Sequence, residues 1–222
     1  MKLNIDKVYV CHYSKLTERK EKLIKQFQFH NIENYEFVEC YDKDNWDKNQ
    51  IRELFPKMDI DRTGGTCSLN DAEKSLLMKH CWIINDMHKN NYESVMVFED
   101  DVVLVDNFVE LFNEYKKEMP EDWDIGWVGS CFNLKEPQRP GKRVYKTSRG
   151  SRCTHAFCLS NSFAKKVIHD INNADEAADW YYNKIIKQFD LNNYWFQPAL
   201  AFQSLEFTSA ISGNKWTPDI VG

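Results

Sequence analysis

The chain has 222 residues, 42% of them hydrophobic and 14% aromatic, with 29 Lys and Arg against 34 Asp and Glu and a formal net charge of -5. That acidic balance excludes duplex nucleic acid or an anionic membrane as the main partner. A mean hydropathy of -0.62 and no apolar run near the roughly 20 residues that cross a bilayer exclude a membrane span.

The length suits one large domain with a substantial core, residues 1–222 as a single unit. The opening MKLNIDKVYV has no apolar signal-peptide core, so a cytoplasmic chain is expected. Residues 7–12, KVYVCH, are β-rich and read as a first strand. After a loop at 13–16, TERKEKLIKQFQFHN places Leu16, Leu23, Ile24 and Phe27 at helical spacing, with Thr17 as N-cap. Residues 35–40, YEFVEC, read as a second strand. Residues 41–67, polar and containing Pro56 and Gly64-Gly65, read as loop with short helical pieces.

A long helix is predicted over 68–89, opened by Ser68 with Asp71 three residues on. Its apolar stripe runs Leu69, Ala72, Leu76, His80, Ile83, Ile84 and Met87. His80 on that stripe reads as a hydrogen-bonded core histidine rather than a metal ligand. Residues 94–98 read as a buried strand. A helix over 108–117 follows, capped by Asp106, with Phe108, Leu111, Phe112 and Tyr115 inward, then a strand at 124–129.

Between 135 and 152 lie Lys135, Arg139, Lys142, Arg143, Lys146, Arg149 and Arg152 against the single acid Glu136. The stretch is either a mobile anion-gripping loop or a solvated hairpin, with the hairpin preferred. A strand at 155–160, helices at 163–171 and 177–189, and a last strand at 194–202 interrupted by Pro198 complete the reading. The seven cysteines, Cys11, Cys40, Cys67, Cys81, Cys131, Cys153 and Cys158, form no metal-binding spacing and read as reduced core thiols.

Strands alternating with helices imply an α/β domain with a largely parallel sheet, whose ligands bind beyond the carboxyl ends of the strands. At one such end stands VMVFEDDVVL, with Glu99, Asp100 and Asp101 adjacent. Two readings stay open from these residues alone. A divalent cation with a preference for oxygen ligands would offset the repulsion of three carboxylates; otherwise the triplet is a solvated turn.

The ordered set of segments resembles glycosyltransferase family 25, the group of lipopolysaccharide-type β-galactosyltransferases and collagen galactosyltransferases. VYVCHYSKLTERKEKL is similar to the family's first strand and Arg-containing loop, LMKHCWII to its Ser-His helix, and VMVFEDDVVL to its hallmark. WDIGWVG, THAFCLSNSFAKKVI, AADWYYN and PALAFQSLEFTSAISG resemble its later segments in order. This chain departs from the pattern in having Lys79 for the Ser before the His, Phe157 for a Tyr, and Cys11-His12-Tyr13 after the first strand.

The resemblance implies a GT-A-like α/β fold with a mostly parallel mixed sheet flanked by helices. It further implies metal-dependent, inverting transfer of a hexose, galactose or glucose, from a UDP-sugar to a hydroxyl acceptor on a glycan or protein, with Mn²⁺ or Mg²⁺ as cofactor. A cation across both phosphates stabilises the departing UDP as a Lewis acid. In that scheme Asp101 and Glu99 serve the metal, Asp100 meets the ribose, and Arg19, Tyr13, Glu99 and Gln203 contact the nucleotide-sugar. Inversion needs a base for the acceptor hydroxyl, and Asp179 matches the family's late Asp. Trp180 and Tyr181 beside it are either sugar-stacking aromatics or core. The alternative is a non-catalytic nucleotide-sugar or glycan-binding domain.

Overall fold

A computed structural model of the chain describes residues 1–61, 69–129, 131, 139–207, 211 and 213. Along them run β1 (Lys7–Cys11), α1 (Thr17–Phe29), β2 (Tyr35–Val38), α2 (Lys48–Leu54) and α3 (Asp71–Asn90). They continue as β3 (Ser94–Glu99), β4 (Val102–Leu104), α4 (Phe108–Lys116), β5 (Ile125–Gly129), β6 (Val144–Lys146) and β7 (Ala156–Ser160). The last elements are α5 (Asn161–Val167), a 3-10 turn (Ile171–Asn173), α6 (Ala178–Gln188), β8 (Asn193–Phe196) and β9 (Ala201–Gln203).

Seven strands form one sheet in the order β2-β1-β3-β7-β5-β8-β6, while β4 and β9 pair separately. β1 is parallel to β2 and β3, and β5 to β8; β7 and β6 run against their neighbours. Only those two oppose the common direction, so the sheet is the expected mixed, mostly parallel one. The strands read as continuous apolar runs because both faces are covered. Along β3, Val95 and Val97 pack into a core with α2, α3, α5 and α6. Met96 and Phe98 pack into a second core with α1 and α4.

The strand order fixes where a ligand can bind. From β1 the chain moves to β2 on one side, then returns across it to β3 on the other. The connections after β1 and β3 therefore diverge, opening a crevice at the carboxyl ends of these two strands.

Several local expectations are corrected. The start of α3 is set by Asn70, whose side chain accepts from the Glu73 N–H while the Glu73 carboxylate accepts from the Asn70 N–H. Asp71 is three residues after Ser68, but Glu73 is the residue that can close the reciprocal box; Ser68 lies outside the described residues. Thr17 is the first residue of α1 rather than its cap, and neither Leu16 before α1 nor Asn107 before α4 makes a side-chain capping bond. Asp106 therefore caps nothing.

Two further corrections concern β-structure. The strand expected over 194–202 is two strands, β8 in the large sheet and β9 beside β4, with a cis Gln197–Pro198 bond between them. Pro has no N–H for a ladder, which is why the run cannot continue. Within 135–152 the described part holds β6, which pairs antiparallel with β8 instead of forming its own hairpin. Arg143 of this stretch is engaged with Glu114 and Glu118 at 2.5 Å each. Lys135 and Glu136 lie outside the described residues.

Not all the cysteines are reduced thiols. Cys131 and Cys153 form a disulfide, with Cα atoms 5.5 Å apart and a separation of 22 residues. They lie just beyond the antiparallel pair Gly129 and Ala156, which brings the end of β5 beside the start of β7. Nothing in the spacing announces this, because sheet pairing supplies the proximity. Cys11, Cys40, Cys81 and Cys158 are free; Cys67 lies outside the described residues. Among the described residues no helix is long and apolar enough to cross a membrane.

Candidate active site

The crevice is assembled from the ends of β1 and β3. Their parallel register sets Cys11 opposite Glu99, so the next residues, His12 and Asp100, leave the sheet side by side. His12 Nδ1 lies 2.7 Å from Asp100 Oδ2. From the first turns of α1, Arg19 reaches in with only 6% of its surface exposed. Its Nη1 donates to Asp100 Oδ1 at 2.8 Å and to Asp101 Oδ2 at 3.4 Å. Both oxygens of Asp100 are thereby engaged, which fixes the orientation of the middle carboxylate.

The outer two acids are less well served. Glu99 Oε1 accepts from the Thr154 hydroxyl at 2.6 Å. Asp101 Oδ2 also accepts from Gln203 Nε2 at 3.2 Å, across the β4–β9 pair that aligns Val102 with Gln203. Asp101 Oδ1 and Gln203 Oε1 are buried without a hydrogen-bond partner. Burial, then the charge of Asp101, pushes the Glu99 carboxyl up to about 8. Burial, then Asp100, raises Asp101 to about 6 against the opposing pull of Arg19. Two carboxyls held above their usual range mark a place short of positive charge.

A cleft of about 680 Å³ opens over these groups, lined by His12, Tyr13, Arg19, Asp100, Asp101 and Gln203 among others. Five of the expected donor-side residues thus share one cavity with Glu99, which also lines it. The Tyr13 hydroxyl donates to Asp44 at the rim. One wall is held by Lys79, 2% exposed, which donates to the His12 carbonyl and to Asp42. Asp42 Oδ2 also accepts from the backbone and hydroxyl of Ser14. Burial acts to raise the Asp42 carboxyl, but Lys79 and Ser14 outweigh it and hold it below its ordinary range. The lysine departing from the family pattern is therefore the strut that ties α3 to the loops after β1 and β2.

Asp179, second residue of α6, lines an adjoining cavity of about 550 Å³ with Arg152 and Thr154. Glu99 and Gln203 line both cavities. Burial raises the Asp179 carboxyl, opposed by Arg152, whose Nε lies 3.5 Å from Asp179 Oδ2. Trp180 is half exposed, whereas Tyr181 is core. His80 is also core, as expected: it is fully buried between Cys11 and Tyr182, and desolvation lowers it to about 3.

His12, Asp42, Lys79, Thr154 and Arg152 are site residues to which sequence reasoning gave no role. Three carried a signal, Lys79 and His12 as departures from the family pattern and Arg152 as the last cation of a basic stretch. Asp42 and Thr154 act through long-range contact, which spacing does not encode.

No group of three or more His, Cys, Asp or Glu among the described residues is arranged as a ready metal site. The donor set nevertheless fits a cation. Asp101 Oδ1 and Gln203 Oε1 accept only, are buried, and lack any donor, and a hard divalent ion is satisfied by such oxygens.

The carboxylate cluster stands at the carboxyl ends of β1 and β3 in a mostly parallel α/β sheet, the position where open sheets of this class in general bind their ligands. Residues 5–182 match glycosyltransferase family 25 (LPS biosynthesis protein), and the chain belongs to that family. It is accordingly a glycosyltransferase. No match was found among curated proteins. Solved structures similar to it include a protein from STIV, with 10% identity, 89% of this chain and 84% of that one covered, and a TM-score of 0.43. Another is the apo form of the glycosyltransferase GlyE of Streptococcus pneumoniae TIGR4, with 14% identity, coverage of 84% and 44%, and a TM-score of 0.42. A third is apo mouse xyloside xylosyltransferase 1, with 12% identity, coverage of 84% and 62%, and a TM-score of 0.37. The chain spans less than two thirds of the last two.

Proposed function

We propose that the protein is a metal-dependent, inverting hexosyltransferase that moves galactose or glucose from a UDP-sugar to a hydroxyl on a glycan or protein. The observation that carries this reading is the pair of buried, partnerless acceptor oxygens, Asp101 Oδ1 and Gln203 Oε1, beside two carboxyls held above their usual range. Asp101 and Glu99 would hold Mn²⁺ or Mg²⁺, which when bound supplies Lewis-acid stabilisation of the leaving diphosphate.

The chain's own residues do the rest. Asp100, locked by Arg19 and His12, presents a fixed carboxylate to the ribose hydroxyls. Arg19 adds a buried positive charge on the diphosphate side, and Tyr13 and Gln203 wall the nucleotide-sugar. In the adjoining cavity Asp179 takes the acceptor's proton on the oxygen that Arg152 does not hold. Burial raises its proton affinity, the direction that favours a general base.

Titration calorimetry tests the reading. UDP is expected to bind tightly with Mn²⁺ and weakly with a chelator, and UDP release from UDP-galactose or UDP-glucose should depend on the sugar. Equal UDP affinity in both conditions would sink the metal-dependent assignment. Metal-dependent binding with no sugar-dependent release would instead favour a non-catalytic nucleotide-sugar-binding domain.

A further inference from the structure

We infer that Phe207, on the segment that follows β9, is a positioning residue for the donor site: its ring holds the Arg19 guanidinium against Asp100 and Asp101. That the charge of Arg19 serves the diphosphate rests on the reaction proposed above. The hold of the ring on the guanidinium does not.

The first observation is where the ring lies. Arg19 and Lys22 stand three residues apart on α1, so they share one face of the helix. Arg19 Cζ lies over the Phe207 ring, 5.0 Å from its centroid, and Lys22 Nζ lies over the same ring at 4.6 Å. Both are inside the roughly 6 Å within which an aromatic face attracts a cation. The buried guanidinium therefore meets the carboxylates of Asp100 and Asp101 through Nη1 and an aromatic face through its carbon. A planar, weakly hydrated guanidinium stacks on such a face, and an aliphatic side chain offers no equivalent. Keeping water from the group also strengthens its attraction to the two acids, because Coulomb energy rises as the local dielectric falls.

The second observation is that the position of the ring is itself tied to the acids. The Ser204 N–H donates to the Asp101 carbonyl at 2.8 Å. The Glu206 N–H donates to the Ser204 hydroxyl at 3.2 Å, a local turn that directs the residues after it. Glu206 then pairs with Lys22 at 2.6 Å. The chain leaving β9 is thus fastened to the backbone of Asp101 and then to α1, and Phe207 is delivered to the two cations. It belongs to neither core, so removing the ring should spare the fold.

The test compares the whole chain with Phe207→Leu, which stays apolar but loses the aromatic face, and with Phe207→Tyr, which keeps that face. With a chelator and no nucleotide, ¹⁵N NMR follows exchange of the Arg19 side-chain N–H protons. Exchange should be severalfold faster in Phe207→Leu than in the unaltered chain, and Phe207→Tyr should restore the slow rate. With Mn²⁺ present, calorimetry should find UDP weakened roughly threefold to thirtyfold in Phe207→Leu, the worth of a partly desolvated cation–ring contact. Phe207→Tyr should bind UDP as the unaltered chain does.

The inference is overturned if Arg19 exchanges at the same rate in Phe207→Leu, or if Phe207→Tyr behaves like Phe207→Leu. It also falls if exchange quickens throughout Phe207→Leu, which would make the ring a support of the fold, or if UDP affinity is unchanged while Arg19 is loosened. An unaltered chain that does not bind UDP with Mn²⁺ would instead count against the proposed function. Exchange at Arg19 needs no nucleotide, so the two failures are told apart.

Discussion

Replacing Asp101 by Asn should stabilise the metal-free protein while removing its response to metal. In the folded state the Asp101 carboxyl is raised from 3.8 to about 6. At about 1.36 kcal/mol per unit, its ionised form is disfavoured by roughly 3 kcal/mol relative to the unfolded chain. The sign follows from that direction. A raised carboxyl contributes stability that is fully present below 3.8 and is lost as pH climbs through about 6. Above that range the wild type carries the whole penalty, and Asn, which never ionises, carries none.

Asn gives up the charged contact to Arg19 at 3.4 Å, but the pull of Arg19 is already contained in the raised value, and the amide oxygen can still accept from Gln203. The net expectation is a gain of about 3 kcal/mol at about pH 8, or roughly 6–12 °C in Tm for a chain of this size. Thermal melts with a chelator present, at about pH 8 and about pH 3.5, read it directly, and the advantage should vanish at the lower pH. A variant less stable than the wild type at the higher pH, or one equally favoured at both, would refute the reasoning. With Mn²⁺ added, UDP should bind the variant no better than it does with chelator.

Asp179→Asn should keep UDP and metal affinity but lower turnover by about 10²–10⁴, the usual worth of a general base; unchanged turnover in a steady-state assay would eliminate Asp179 as the base. Lys79→Met keeps the length of the side chain but leaves Asp42 buried opposite no cation, and should cost roughly 3–5 kcal/mol in urea unfolding. A loss under about 1 kcal/mol would mean that Asp42 is solvated without Lys79.

The strands and the site were unequally legible in the sequence. β1, β3, β5 and β7 were readable because a strand covered on both faces is apolar throughout, as in Val95–Phe98. β4 and β6, three residues each, are too short for periodicity to register. The acidic triplet was visible as adjacent like charges, whereas the residues that manage it were not. His12 meets Asp100 only because β1 and β3 run parallel in one register, and Lys79 meets Asp42 across 37 residues. Leu76 packs against the core as the helix stripe has it, and with Ala72 it also lines the cleft, which periodicity alone does not show.

The bond between Cys131 and Cys153 closes residues 132–152 into a covalent ring, and that changes what a broken peptide means for this protein. A protease that cuts once anywhere inside the ring liberates no fragment. The polypeptide becomes two chains still fastened at the ends of β5 and β7, and the molecule keeps its mass until a thiol reductant parts them. Integrity judged under oxidising conditions and integrity judged after reduction are therefore two separate properties here, and a nicked population would be visible only by the second.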